Sequence, residues 1–252
     1  NLNKVKTVEN LCGSNTLGIS CDITKKEQLE ITFKRIIQNF GGIDILISNA
    51  GAAWEGSIAA MDETIFRKSM ELNLFGHFYS SKRTLEIFHA QDYSEQNKEN
   101  MLGGQILFNI SKQSLNPGAN FGSYGISKAA LLALMRQISL EEGKNKIRAN
   151  GINADRIKSG LLNQEMIKKR SLSRGLTEDE YMSGNLLERE VLAIDVAKAF
   201  LALAEMEKST GALLTVDGGN VAAMVRWFIK FFLIFKPILK TSFLNLKIIL
   251  KK

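Results

Sequence analysis

A tyrosine and a lysine four positions apart, Tyr124 and Lys128, carry the chemistry that this sequence most directly suggests. Residues four apart on a helix share one face, so the lysine ammonium would lie beside the phenol. A phenol ionises at about pH 10, and a neighbouring positive charge favours its ionised form. We therefore expect Lys128 to lower the pKa of Tyr124, and Tyr124 to act as a general acid or base on a substrate oxygen.

The segments around this pair predict a strand, a loop and a helix. The apolar run 105–110 is typical of a buried strand, and residues 116–122 form a loop rich in Asn, Pro and Gly. A helix is predicted over 127–142. Ser111 follows the strand, so this order of elements brings it close to Tyr124 at the carboxyl edge of a sheet, where open α/β folds bind ligands.

Further strands and helices are predicted along the chain. Apolar strands are predicted at 17–21, 43–48, 105–110 and 147–152. Helices are predicted at 24–40, 64–88, 127–142 and 195–205. Strands that alternate with helices are typical of a mainly parallel sheet covered on both faces. We therefore predict a single α/β domain.

Five motifs occur in a characteristic order between residues 17 and 220. They are Asp22 after the first predicted strand; Asn49, Ala50 and Gly51 after the second; Asn73 in the segment 72–76; the set of Ser111, Tyr124 and Lys128; and Asp217, Gly218 and Gly219 near the end. Together they resemble the short-chain dehydrogenase/reductase family. The resemblance implies a Rossmann-like, doubly wound parallel sheet over residues 1–225, and an NAD(P)-dependent oxidoreductase acting on a small molecule.

The resemblance also implies a role for each catalytic residue. Tyr124 would exchange a proton with the substrate, while Lys128 would lower its pKa and hold the cofactor ribose. Ser111 would donate a hydrogen bond to the substrate oxygen as charge develops on it. Asn73 would hold a water that contacts Lys128.

The implied cofactor is NAD or NADP. The residues expected to contact it are Asp22, Ile23, Asn49, Ala50, Gly51, Tyr124, Lys128, Ile157 and Ser159. The acidic residue at position 22 would meet the adenine ring, and positions 157 and 159 would face the nicotinamide. We expect the three residues after the second strand to let backbone approach the cofactor closely.

A narrower resemblance concerns the segment 148–162. Ala154 and Asp155 stand where the family usually has Pro-Gly. This stretch, together with 181–187, is similar to the dehydrogenase domain of bifunctional sugar-phosphate aldolase/dehydrogenases. That similarity implies a small hydroxy-aldehyde substrate such as lactaldehyde, and it favours NAD over NADP.

The beginning of the chain departs from the family pattern. Family members open with a strand, a Gly-x-x-x-Gly-x-Gly turn and a helix whose N-terminus receives the pyrophosphate. Residues 1–10 look instead like the helix that precedes the 17–21 strand. We therefore predict an N-terminally truncated domain that lacks the first β-α-β unit. We also expect an unpaired apolar edge on the 43–48 strand, and a segment before Asp22 that is less well ordered than the rest or displaced from its family position.

The end of the chain, 226–252, lies outside the family pattern. It holds 7 basic and no acidic residues, out of 33 basic and 26 acidic in the whole chain, so the domain itself is neutral. The high pI is therefore no argument for nucleic-acid binding. Charges and Pro237 disfavour a spanning helix. The tail could lie on a membrane surface, cover the exposed sheet edge or be an accidental extension.

The remaining residues point to a cytoplasmic protein without a metal site. Cys12 and Cys21 lack a metal or redox spacing, and the two histidines, His77 and His89, are expected to be partly exposed on a helix. No signal-peptide pattern is present. The family resemblance implies a homo-oligomer built through 64–88 and 124–143.

Three functions are consistent with the sequence. The first is an oxidoreductase of the family. The second is a catalytically incompetent fragment that keeps the catalytic residues but lacks the glycine-rich phosphate site. The third is a membrane-surface or partner-binding protein that acts through 226–252.

Overall fold

The computed structural model describes residues 2–91 and 103–222, which form an α/β fold around a parallel sheet. The strands are β1 (Ile45–Ser48), β2 (Gln105–Asn109), β3 (Arg148–Ala154) and β4 (Leu213–Val216). They pair in the order β1-β2-β3-β4, and every pair is parallel. The strands predicted at 43–48, 105–110 and 147–152 are thus confirmed to within about two residues.

Helices connect the strands. They are α1 (Leu2–Cys12), α2 (Lys26–Phe40), α3 (Glu63–Met70), α4 (Gly76–Ala90), α5 (Gly122–Glu142), α6 (Gln164–Leu172), α7 (Glu178–Ser183) and α8 (Ala193–Glu205). A π-helical turn, Glu71–Phe75, joins α3 to α4, so the chain is helical without a break from residue 63 to residue 90. This confirms the helix predicted at 64–88.

Apolar residues pack on both faces of the sheet, as the alternation of side chains along β2 requires. Ile106 and Phe108 pack with α4 and α5, for example against Leu131. Leu107 points to the other face and packs with α8 against Leu203. Because both faces are covered, the predicted doubly wound α/β fold is confirmed.

The predicted strand at 17–21 is wrong, since that segment has no strand structure. Strand geometry needs a neighbour to satisfy backbone groups, and β1 pairs only with β2 in the described part of the chain. The segment contacts α1 instead, where the Gly18 N–H donates to the Glu9 carboxylate at 3.0 Å. As expected, β1 forms an edge of the described sheet with exposed apolar residues: Ile45 is 44% and Ile47 51% exposed.

The tail at 226–252 lies outside the described residues. Within 2–91 and 103–222, no helix is both long enough and apolar enough to cross a bilayer.

Candidate active site

Residues that were predicted to act together line one cavity at the carboxyl ends of the strands. The cavity measures about 810 Å³. Ser111 reaches it from the loop after β2, and Tyr124 and Lys128 reach it from the first two turns of α5. The cavity is within the size range of small-molecule and cofactor sites. The fold therefore assembles three of the four proposed catalytic residues around a single space.

The Tyr124–Lys128 pair has the predicted helical geometry but an unexpected burial. The Lys128 ammonium lies 5.9 Å from the centroid of the Tyr124 ring. Its Nζ donates to the carbonyl of Asn109 at 2.8 Å, at the end of β2. Only 2% of Lys128 and 8% of Tyr124 are exposed. The ammonium is thus removed from water with a neutral carbonyl as its hydrogen-bond partner.

The pKa of Tyr124 shifts in the direction opposite to the one predicted, because the phenol is buried. Burial raises the pKa of the phenol, an effect that outweighs the lowering by Ser111. Burial also lowers the pKa of Lys128 to about 7. The expectation that Lys128 lowers the pKa of Tyr124 is therefore wrong for this structure, because both groups lose hydration that stabilises their charged forms.

Ser111 is held in contact with the tyrosine. Its side chain lies close enough to the Tyr124 phenol to lower the pKa of that group, and its Oγ accepts the Gln113 N–H at 3.2 Å. The backbone of Ser111 is extended and ends the strand segment, while the next three residues form a short 3-10 turn. That turn fixes the hydroxyl at the cavity wall.

Asn73 lies on the π-helical turn and clamps the loop after β1. It is fully buried. Its Oδ1 accepts the Ala52 N–H at 3.1 Å, and its Nδ2 donates to the Ala52 carbonyl at 2.9 Å and to Ser69 Oγ at 3.2 Å. In this structure the amide thus supports the cavity wall from behind, and its role in holding a water remains a prediction.

Gly51 explains how Asn73 and Lys128 come close to the same backbone. A Cβ at this position would lie 3.0 Å from Asn73 Oδ1 and 3.8 Å from Lys128 Nζ. Any larger side chain would press on the clamp and occupy the space beside the ammonium. Glycine is therefore favoured here by the close approach of these side chains rather than by backbone conformation.

His77 is a site residue that sequence reasoning missed. It was expected to be partly exposed, but it is fully buried. Its ring contacts Ser48 Oγ through Nδ1 at 2.6 Å and the Ala50 carbonyl through Nε2 at 2.9 Å. Because a carbonyl can only accept, Nε2 carries the proton and Nδ1 accepts from the Ser48 hydroxyl.

Burial, reinforced by the charge of Lys128, lowers the pKa of His77 to about 3. The ring is therefore neutral at neutral pH and holds the backbone at the end of β1. A sequence signal did exist: His77 follows Asn73 by one helical turn and shares its face.

The predicted cofactor residues separate into two groups. Asn49, Ala50, Gly51, Ile157 and Ser159 line the cavity with Tyr124 and Lys128. Asp22 and Ile23 are not among the lining residues.

Local contacts hold Asp22 and Ile23 elsewhere. The carboxylate of Asp22 accepts from the Thr24 N–H at 3.0 Å and the Thr24 hydroxyl at 2.8 Å. Ile23 packs on α2 and α4. Their segment does not join the sheet, so it does not present Asp22 at the strand ends.

The described residues fit one half of a nicotinamide dinucleotide. The space beside Gly51, which a Cβ would fill, together with the Tyr124 hydroxyl and the Lys128 ammonium, suits the ribose and nicotinamide. No Gly-x-x-x-Gly-x-Gly turn leading into a helix occurs in 2–91 or 103–222. The same residues contain no cluster of three or more His, Cys, Asp or Glu that could hold a metal ion.

Comparison with known protein families and curated proteins gives consistent matches. The family described as enoyl-(acyl carrier protein) reductase matches residues 1–220. An uncharacterized oxidoreductase of Bacillus subtilis, YuxG, is 31% identical over 219 residues, which cover 83% of this chain and 30% of the relative. (+)-Borneol dehydrogenase 1 of Salvia officinalis is 31% identical over 219 residues, covering 85% of this chain and 78% of the relative. This chain thus spans under a third of the Bacillus protein's length.

Solved structures share the fold. 3-Ketoacyl-(acyl-carrier-protein) reductase from Brucella melitensis, complexed with NADH, superposes with a TM-score of 0.74 at 20% identity and covers 87% of this chain and 84% of its own. ElxO with NADP bound has a TM-score of 0.74 at 25% identity and covers 88% and 86%.

Proposed function

The chain belongs to the short-chain dehydrogenase/reductase family, and on that premise we propose that it is an oxidoreductase with Tyr124 as its acid/base. The observation that carries the proposal is the convergence of Ser111, Tyr124 and Lys128 on one cavity. Bound there, NAD or NADP would supply the hydride chemistry, exchanging two electrons and one hydrogen with the substrate carbon. The accompanying proton is transferred to or from the substrate oxygen, and the side chains of this chain would carry out that transfer.

The proton path begins at Tyr124. Its raised pKa means that the phenol carries its proton at neutral pH. In this state it can donate a proton to a substrate carbonyl oxygen, which is the protonation state that carbonyl reduction requires. Ser111, which lines the same cavity, would donate to the same oxygen. Oxidation of an alcohol needs the phenolate, so its rate should rise with pH.

The second part of the proposal is that buried Asn73, His77 and Lys128 hold the backbone of the cavity wall in position. Asn73 and His77 fix the backbone of Ala52 and Ala50, on either side of Gly51. The Lys128 ammonium lies beside that backbone and donates to the Asn109 carbonyl at the end of β2. Together they keep the cavity wall in place, so that the reacting atoms meet in one geometry.

Tyr124→Phe tests the proposal. The variant removes one hydroxyl from a buried ring and should retain the fold, while cofactor-dependent reduction of carbonyl compounds falls by at least about a hundredfold. Tyr79→Phe is the matched control, because Tyr79 lies on α4 away from the cavity lining. Equal activity of the Tyr124→Phe variant and the parent would refute the assignment.

A finer proposal concerns the substrate and the parent protein. The resemblance of 148–162 and 181–187 supports a hydroxy-aldehyde such as lactaldehyde and a place as one domain of a longer, aldolase-containing protein. The long Bacillus relative, of which this chain matches 30%, supports the same idea. Comparing NADH- and NADPH-dependent reduction of a panel of small aldehydes tests both substrate and cofactor preference.

A second candidate, a chain that retains the catalytic residues but binds cofactor poorly, is favoured by the placement of Asp22. That carboxylate is bonded to Thr24 and does not line the cavity. Titration with NADH and NADPH, followed by the fluorescence of the reduced nicotinamide, separates the two candidates. Saturable binding supports the enzyme, and no binding supports the incompetent chain.

Self-association through α4 and α5 completes the proposal. Exposed apolar side chains on these helices support it, since Phe78 is 42%, Ile126 45% and Leu140 78% exposed. Apolar residues exposed together mark association surfaces. Sedimentation of the chain with and without charged substitutions at these positions tests the assembly.

A further inference from the structure

The lining of the cavity is rich in positive charge. Besides Lys128, four cationic side chains line it: Lys112, Arg156, Arg170 and Arg174. Asp155 is the one acidic side chain in that lining among the described residues. A concave site with an excess of one charge attracts ligands of the opposite charge.

Arg170 is the most constrained of these cations. Only 7% of it is exposed. Its Nε donates to a Glu55 carboxylate oxygen at 2.7 Å, and its guanidinium lies 4.8 Å from the ring centroid of Phe121. The contacts come from the loop after β1 and from the start of α5, so they fix the guanidinium from two sides. Such a group loses little side-chain entropy when a ligand binds it.

Arg170 also has a hydrogen-bond donor to spare. Its Nη2 is buried and has no hydrogen-bond partner within the described residues. A buried donor without a partner costs free energy that a suitable acceptor would recover. A planar guanidinium pairs best with carboxylate or phosphate oxygens.

The nearby carboxylates do not cancel this charge. Asp155 is shared by Lys112 at 3.6 Å, Arg156 at 3.5 Å and Asn220 at 2.5 Å. Glu55 is shared by Arg170 and Lys169. Each carboxylate is thus divided between two cations, and the wall retains a net positive charge.

The other two arginines serve mainly to hold the wall together. Arg156 donates through Nη1 to the carbonyls of Tyr181 and Gly184. Arg174 donates through Nη1 to the carbonyl of Arg170 at 2.9 Å. Their charges remain in the lining, while their contacts go mainly to backbone carbonyls, with the Ser173 hydroxyl and the Asp155 carboxylate as further partners. Arg170 is therefore the side chain best suited to contact a ligand directly.

We infer that the substrate is an anion, a small hydroxyl or carbonyl compound whose carboxylate or phosphate is bound by Arg170 while its reacting oxygen meets Tyr124. The inference rests on the proposed oxidoreductase function and replaces the neutral lactaldehyde-like substrate suggested by the segment 148–162 with an anionic hydroxyl or carbonyl compound. Arg170 and Tyr124 both line the cavity, so the two residues border one ligand space. An uncharged substrate would leave the excess positive charge of the lining unpaired.

Matched substrate pairs test the inference. Cofactor-dependent turnover of 3-hydroxybutyrate is compared with that of its amide, and turnover of glycerol 3-phosphate with that of glycerol, with lactaldehyde as a further neutral compound. We expect kcat/KM to be at least about tenfold higher for the charged member of one pair. The pair that shows the preference distinguishes a carboxylate from a phosphate. Faster turnover of the neutral compounds would overturn the inference and leave the oxidoreductase proposal intact.

A binding measurement separates failure of the inference from failure of catalysis. Titration calorimetry with 3-hydroxybutyrate and with glycerol 3-phosphate needs no turnover. We expect Arg170→Gln to weaken binding at least about tenfold. Arg170→Lys, which keeps the charge but loses the planar fork, should fall between that variant and the parent. Arg35→Gln, on the exposed face of α2, is the matched control and should bind like the parent.

Two outcomes would contradict the inference in this assay. One is equal binding of the anions by the parent, Arg170→Gln and Arg35→Gln. The other is equal binding of an anion and its neutral counterpart. If Arg170→Gln fails to fold, Arg174→Gln removes a second charge from the same lining, and the inference then requires weaker anion binding and a smaller effect of salt in that variant.

Discussion

The buried ammonium of Lys128 makes the stability of the folded chain depend on pH in a predictable direction. Burial lowers its pKa from 10.5 to about 7. Between these values the unfolded chain holds a proton that the folded chain has released. Stability should therefore rise as the pH increases from about 7 towards 10.5, and fall as the pH decreases through that range.

The size of the effect follows from the same two values. A lysine that titrates at about 7 rather than 10.5 costs the protonated folded chain up to about 5 kcal/mol. Part of that range is accessible experimentally. Between about pH 7 and about pH 8.5, the free energy of unfolding should increase by about 1.5 kcal/mol through this group alone.

Lys128→Met removes the titrating group and keeps most of its apolar volume. Urea unfolding of the parent and the variant at several pH values gives the difference between their free energies of unfolding. Between about pH 7 and about pH 8.5, we expect the free energy of unfolding of the parent to increase by about 1.5 kcal/mol relative to that of the variant. Lys34→Met, on the exposed face of α2, should follow the parent. The difference cancels other groups that titrate in the interval, such as the cysteines.

Parallel pH profiles for the parent and Lys128→Met would refute the reasoning. They would mean that the ammonium remains hydrated in solution and keeps an ordinary pKa. The predicted reversal of the Tyr124 pKa would then fail too, because it depends on the same burial.

Two further predictions concern buried groups behind the cavity and in the core. His77 has a pKa of about 3, below its ordinary 6.5, so its contribution is present above pH 6.5 and is lost as the pH falls towards 3. His77→Gln should be less sensitive to acid unfolding than the parent, and a parent-like acid profile would contradict this; His89→Gln, at a partly exposed position, is the control. Gly104→Ala should destabilise the chain by about 1–3 kcal/mol in urea unfolding, since its Cβ would lie 2.4 Å from the buried Phe88 ring. Gly143→Ala, with nothing within 4 Å, should leave stability almost unchanged, and equal stability of the two alanine variants would contradict the packing argument.

Local pattern was sufficient to predict most of the elements. The continuous apolar run of β2 and the helical spacing in α5 are properties of neighbouring residues, so both elements follow from short stretches of sequence. The prediction of a strand at 17–21 was wrong because strand formation depends on contacts outside the segment. A strand exists only beside a partner, and no partner adjoins that segment in the described residues. Asp22 was therefore misplaced along with it.

The spacing of Tyr124 and Lys128, and the position of Ser111 after a strand, determined by themselves which groups meet and what family of chemistry they serve. Helical periodicity and the common edge of a parallel sheet make those contacts local consequences of sequence. The charge states of these groups were decided only by the tertiary structure. The burial of His77 and the unmatched donor of Arg170 depend likewise on distant segments packed around them. Desolvation depends on every segment that packs around a side chain. It therefore cannot be predicted from the residues that neighbour it in sequence.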